Sequence, residues 1–103
     1  MLKNFEHKLS EISELHIKIQ TQLSDSKISS NERITLSKKF ASLEQVLECK
    51  KSIEGSEKQL LETKNLLANN SDEELLELAK QDIEFLEQEL KKLYDNLKKL
   101  LIP

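Results

Sequence analysis

A stripe of apolar residues near the end of the chain constrains the fold more than any other feature. Seven positions recur at alternating spacings of four and three residues, with no proline or glycine between them: Ala79, Ile83, Leu86, Leu90, Leu93, Leu97 and Leu100. This spacing places them on one face of an α-helix and leaves the other faces to charged and polar residues. A helix with such a face must pack against another surface, so the stripe predicts a helical hairpin or bundle.

The same register occurs at the start of the chain, at Leu2, Phe5, Leu9, Ile12, His16, Ile19 and Leu23. One glycine and one proline leave little of the turn chemistry that β-sheets require, and no segment alternates strictly between apolar and polar residues. With 34% charged and 4% aromatic residues, a thick globular core is not expected. The composition therefore predicts an all-α protein.

Short polar segments predict where each helix begins and ends. We expect a single domain over residues 1–103, with helix one at about 2–23, helix two at about 30–68 and helix three at about 72–101. Ser29 with Glu32, and Ser71 with Glu74, fit capping boxes at the second and third helix starts. The short connection between helices two and three forces them into an antiparallel hairpin. Helix one should pack opposite the N-terminal part of helix two, which is rich in apolar residues. The predicted fold is an elongated three-helix bundle.

Gly55 leaves two alternatives for helix two. Because glycine costs a helix interior about 1 kcal/mol relative to alanine, the helix could bend or break there. Alternatively it continues as one helix with a half-exposed middle, which the favourable pair of Glu54 and Lys58 supports.

The residues that could carry chemistry are few. His7 and Glu11 are four residues apart and could share a metal, but nothing nearby completes a coordination shell. His16 occupies an apolar-stripe position and is interpreted as a partly buried residue that fixes register. Cys49 is expected on a helix flank, and Tyr94 and Phe85 are expected to be packing residues. No catalytic, metal-binding or cofactor-binding residue is predicted, and the sequence does not reveal which residues bind a partner.

The charge distribution limits the partners. A net charge of −3 argues against free-standing binding to nucleic acid or an anionic membrane. No apolar run approaches the ~20 residues that span a bilayer, and a lone cysteine without a signal peptide favours the cytoplasm. The C-terminal end of helix three is rich in lysine, at Lys91, Lys92, Lys98 and Lys99. These lysines either complement the helix dipole or form a tip that faces RNA or the ribosome.

Five patches in order carry a family resemblance over essentially the whole chain. They are Leu-Ser-Asp at 23–25, Ser-Ser-Asn-Glu-Arg at 29–33, the segment at 36–46, Asp-Glu-Glu-Leu-Leu-Glu-Leu-Ala at 72–79, and Leu-Leu-Ile-Pro at 100–103. Their order and spacing resemble the N-terminal domain of bacterial peptide chain release factor 1. A sister factor with a similar domain usually has a Trp-containing turn after helix one. This chain has no Trp, which favours the factor for UAA and UAG codons.

The resemblance implies a non-catalytic helical arm of a longer translation termination factor in the cytoplasm. The family's catalytic Gly-Gly-Gln and codon-reading Pro-x-Thr motifs are absent, so neither can be placed on any position of this chain. By resemblance, the partners are the ribosome near the stalk base of its large subunit, the recycling GTPase release factor and the release-factor glutamine methyltransferase.

An alternative hypothesis is a stand-alone coiled-coil adaptor that self-associates or binds a partner helix through the stripe from Ala79 to Leu100. A weak dimer would not discriminate between the two hypotheses. An excised arm could also self-associate weakly, through surface that the full factor covers.

Overall fold

The computed structural model describes residues 2–102 and is helical apart from short connections. A 3-10 turn at Leu2–Phe5 leads into three helices: α1 (Glu6–Leu23), α2 (Ser30–Ala68) and α3 (Glu73–Leu101). No strand occurs among the described residues. The predicted all-α fold, a helical hairpin with an additional N-terminal helix, is confirmed. Pro103, the last residue of the Leu-Leu-Ile-Pro patch, lies outside the described residues.

Helix α1 buries one stripe and ends in a polar turn. Leu9, Ile12 and Ile19 are buried, as the spacing at the start of the chain predicts. The backbone N–H of Ser24 donates to the carbonyl of Gln20 and closes the last turn. Serine and aspartate side chains that compete for backbone hydrogen bonds then prevent the helix from continuing.

Helix α2 is one continuous α-helix of 39 residues, about 58 Å long at 1.5 Å per residue. The Ser29 hydroxyl accepts from the Glu32 backbone N–H at 3.1 Å, so the predicted cap at its start is confirmed. The helix passes through Gly55 without interruption, and nothing lies within 4 Å of the position a Cβ would take there. Of the predicted alternative, a bend or break near Gly55, the break is therefore wrong, and a bend there stays a prediction.

Helix α3 begins one residue later than its predicted capping box implies. Asp72 Oδ1 accepts from the backbone N–H groups of Glu74, at 3.0 Å, and Leu75, at 3.4 Å. The prediction of Ser71 as the capping residue is wrong, because Asp72 has extended backbone and its carboxylate reaches two free N–H groups. An ionised cap also interacts favourably with the positive end of the helix dipole.

The chain divides into two compact units, Met1–Glu48 and Cys49–Pro103. In the first unit, α1 packs against the start of α2 around Leu9, Ile12, Ile19 and Val46. In the second, the rest of α2 and α3 form an antiparallel pair around a second buried set: Cys49, Ile53, Ala79, Leu86, Leu90, Tyr94 and Leu97. That residues 1–103 act as one domain stays a prediction.

Candidate functional site

His16 joins α1 to α2 in the first unit. Its Nε2 lies 2.6 Å from Oε1 of Glu44, and its ring stacks on Phe40 with centroids 4.4 Å apart and planes 21° apart. The imidazole is 17% exposed. The interpretation of His16 as a partly buried residue that fixes the pairing of two helices is therefore supported. The contacts also confirm that α1 packs against the apolar N-terminal part of α2.

Arg33, the only arginine of the chain, closes the connection between α1 and α2. Nη1 donates to the carbonyl of Leu23 at 3.0 Å, and Nη2 donates to the carbonyl of Asp25 at 3.2 Å. The first of these carbonyls is at the C-terminus of α1, where backbone acceptors have no partner within the helix. The fixed fork of a guanidinium can satisfy two such acceptors at once, which lysine cannot do in the same way. Sequence reasoning quoted Arg33 only within a family patch and missed this role.

Cys49 is buried between α2 and α3, so its predicted place on a helix flank is wrong. Its Sγ donates to the carbonyl of Leu93 at 3.4 Å and accepts from Nδ2 of Asn96 at 3.8 Å. Burial raises the pKa of the thiol, and the Asn96 hydrogen bond partly offsets that rise. A buried thiol with a raised pKa is a poor nucleophile, so Cys49 acts as a small packing residue.

The two aromatic residues of α3 have different environments. Tyr94 is buried, and its hydroxyl donates to Oε2 of Glu57 at 3.3 Å, so its predicted packing role is confirmed. Phe85 is 61% exposed, so the same prediction is wrong for that residue. On the helix, Phe85 lies beyond the edge of the buried stripe.

The remaining candidates stay on the surface. His7 Nε2 lies 2.9 Å from Oε1 of Glu11, and the histidine is almost fully exposed. No group of three or more metal-ligating side chains occurs among the described residues. Lys98 and Lys99 lie in the last turn of α3, where their charges complement the helix dipole. No helix within residues 2–102 has both the length and the apolar character needed to cross a bilayer.

These contacts hold α1 against the start of α2, and the rest of α2 against α3. Residues 12–103 match the PCRF domain, a peptide chain release factor-type domain, and the chain belongs to this family. The family gives the chain a release-factor-like role in translation termination, in which this domain is a non-catalytic part that works with the ribosome. No curated protein and no solved structure matches the chain.

Proposed function

We propose that this chain is the N-terminal arm of a peptide chain release factor that acts at UAA and UAG codons in the cytoplasm. The observation that carries the proposal is the family match over residues 12–103, on a fold of three helices. The codon preference rests on the resemblance to release factor 1 and on the absence of Trp from the chain. Codon reading and ester hydrolysis would belong to other domains of a longer factor.

The arm would serve docking at the stalk base of the large ribosomal subunit, recycling by the GTPase release factor, and recognition by the glutamine methyltransferase. One feature supports a binding role. The buried contacts described above satisfy the inner faces of the helices, so the outer faces are available to partners.

The alternative of an adaptor that self-associates through the stripe from Ala79 to Leu100 receives less support. Four of the seven stripe residues are buried within a single chain, against α2: Ala79, Leu86, Leu90 and Leu97. A second copy could reach them only if the hairpin opened, which would expose the same apolar surface that the new contact buries. The release-factor arm is therefore the proposal that we favour.

A competition experiment tests the proposal. A several-fold excess of the purified chain is added to a reconstituted reaction in which a complete release factor 1 terminates repeatedly on UAA-programmed ribosomes. We expect the rate of termination to fall, because the isolated arm occupies the docking site without supplying catalysis.

The control is Leu90→Asp, which places an unpaired charge among buried residues and should unfold the hairpin without changing the chain's length. It should not compete. Equal inhibition by both proteins, or none by the native chain at the highest soluble concentration, would reject a docking role for this arm.

A further inference from the structure

Three exposed apolar side chains form a row on the surface of α3. The row consists of Leu75, Leu78 and Phe85, which are 40%, 58% and 61% exposed. At 100° per residue, the three positions fall within about 80° of one another around the helix. By contrast, the exposed Leu61 and Leu66 of α2 lie about 140° apart around their helix and form no row.

The segment that carries the apolar row is strongly acidic. Residues 72–89 contain eight acidic side chains and a single basic one, Lys80. On the helix, Asp82 and Glu89 fall within the same sector as the apolar row. Glu89 makes a long contact of 3.9 Å with Lys92, and Asp82 forms no ion pair among residues 2–102. The row is thus an apolar surface set in a predominantly negative field.

The charge excludes several occupants. Phosphates of nucleic acids and anionic lipid headgroups are repelled by such a field. In a two-fold symmetric contact with a second copy, each acidic segment would face its own equivalent. The basic end of α3 has the opposite charge, but none of its residues from 86 to 101 is a large exposed apolar side chain. Next to this end lies one large exposed apolar side chain, Ile102, at 70%, so a second copy offers there a single apolar side chain against a row of three.

We propose that the apolar row of α3 is a docking site for a basic amphipathic segment of another protein. Apolar side chains of such a segment would cover Leu75, Leu78 and Phe85, and its lysine or arginine side chains would face Asp82 and Glu89. This is the chemistry by which amphipathic helices bind an apolar surface that is flanked by opposite charge. The inference rests on the proposed function only in treating the chain as an arm that binds protein partners.

The test uses the full 103-residue chain and a defined probe. The probe is a fluorescent peptide of about 18 residues that places leucine on one helical face and lysine on the other, a length that gives about five turns. A second peptide has the same leucine pattern with glutamate in place of lysine. Fluorescence anisotropy measures binding of each peptide to the native chain and to two variants.

Leu78→Ser removes a member of the apolar row, and Leu61→Ser makes the same change at a residue of similar exposure, 62%, outside the row. We expect the lysine peptide to bind with an affinity that falls as salt is added, and we expect the glutamate peptide not to bind. Leu78→Ser should weaken binding about tenfold, the effect of losing most of one leucine's burial, and Leu61→Ser should leave it unchanged.

Three results would overturn the inference. The first is equal binding of the two peptides, and the second is an equal effect of the two variants, because both would indicate non-specific adhesion. The third is a dimer in light scattering that Leu78→Ser dissociates, which would make a second copy the occupant. Since ribosomes are absent, failure here leaves the competition experiment on termination unaffected.

Discussion

Replacing Leu97 by alanine tests whether the second unit is held together by the stripe of α3. Leu97 is fully buried, at 0% exposure, so the change removes apolar burial and leaves a cavity. Such substitutions cost about 2–5 kcal/mol. A domain of this size has a total free energy of unfolding of about 5–15 kcal/mol, so the loss is a large fraction of it.

The matched control is Leu78→Ala, the same chemical change on the same helix at a residue that is 58% exposed. Alanine is an excellent helix former, so the control should change the free energy of unfolding by less than about 0.5 kcal/mol. Urea denaturation followed by circular dichroism measures both variants against the native chain. If both variants lose the same stability, or if Leu97→Ala loses less than about 1 kcal/mol, the assignment of the buried face is incorrect.

Three further changes test local contacts. Asp72→Ala should lower the free energy of unfolding by about 1 kcal/mol because it removes the cap of α3, whereas Ser71→Ala should have little effect. Thermal melts in which Ser71→Ala loses more stability than Asp72→Ala would show that Ser71 is the capping residue. Arg33→Lys should cost about 1 kcal/mol in urea titrations, because one ammonium cannot hold both carbonyls, and an unchanged midpoint would show that the fork contributes nothing. The raised pKa of Cys49 favours the neutral thiol in the folded state, so the free energy of unfolding should be intact below the ordinary thiol pKa and fall as pH rises above it. Cys49→Ala should lose this component of the pH dependence. An identical alkaline profile of the variant and the native chain would contradict the burial of the thiol.

The positions of the helices could be predicted from the sequence because they depend on local features, namely apolar spacing and capping residues. Apolar spacing predicts which face is buried, and Ser29 supplies a side-chain cap that needs only its own neighbours. Glu54 and Lys58 favoured continuity through Gly55, and α2 is continuous there. The Ser71 error was also local. Two adjacent residues could both cap α3, and backbone geometry selected Asp72.

The contacts between helices were less predictable, because they depend on how two helices are rotated against each other. Tyr94 and Phe85 are nine residues apart and so lie on opposite sides of α3, and only the side of Tyr94 faces α2. Burial of Cys49 depends on Leu93 and Asn96, more than forty residues away along the chain. The fork of Arg33 could have been suspected from one signal, a lone arginine four residues after the Ser29 cap and close to the connection from α1.

The central claim is that these residues form the arm of a release factor for UAA and UAG. The most direct measurement is peptide release from ribosomes programmed with UAA, UAG or UGA, by the complete product of the gene and by a version without residues 1–103. We predict that the complete product releases peptide at UAA and UAG, and that loss of the arm slows repeated turnover more than the first round of hydrolysis. Release at no stop codon, or equal repeated turnover with and without the arm, would contradict the claim.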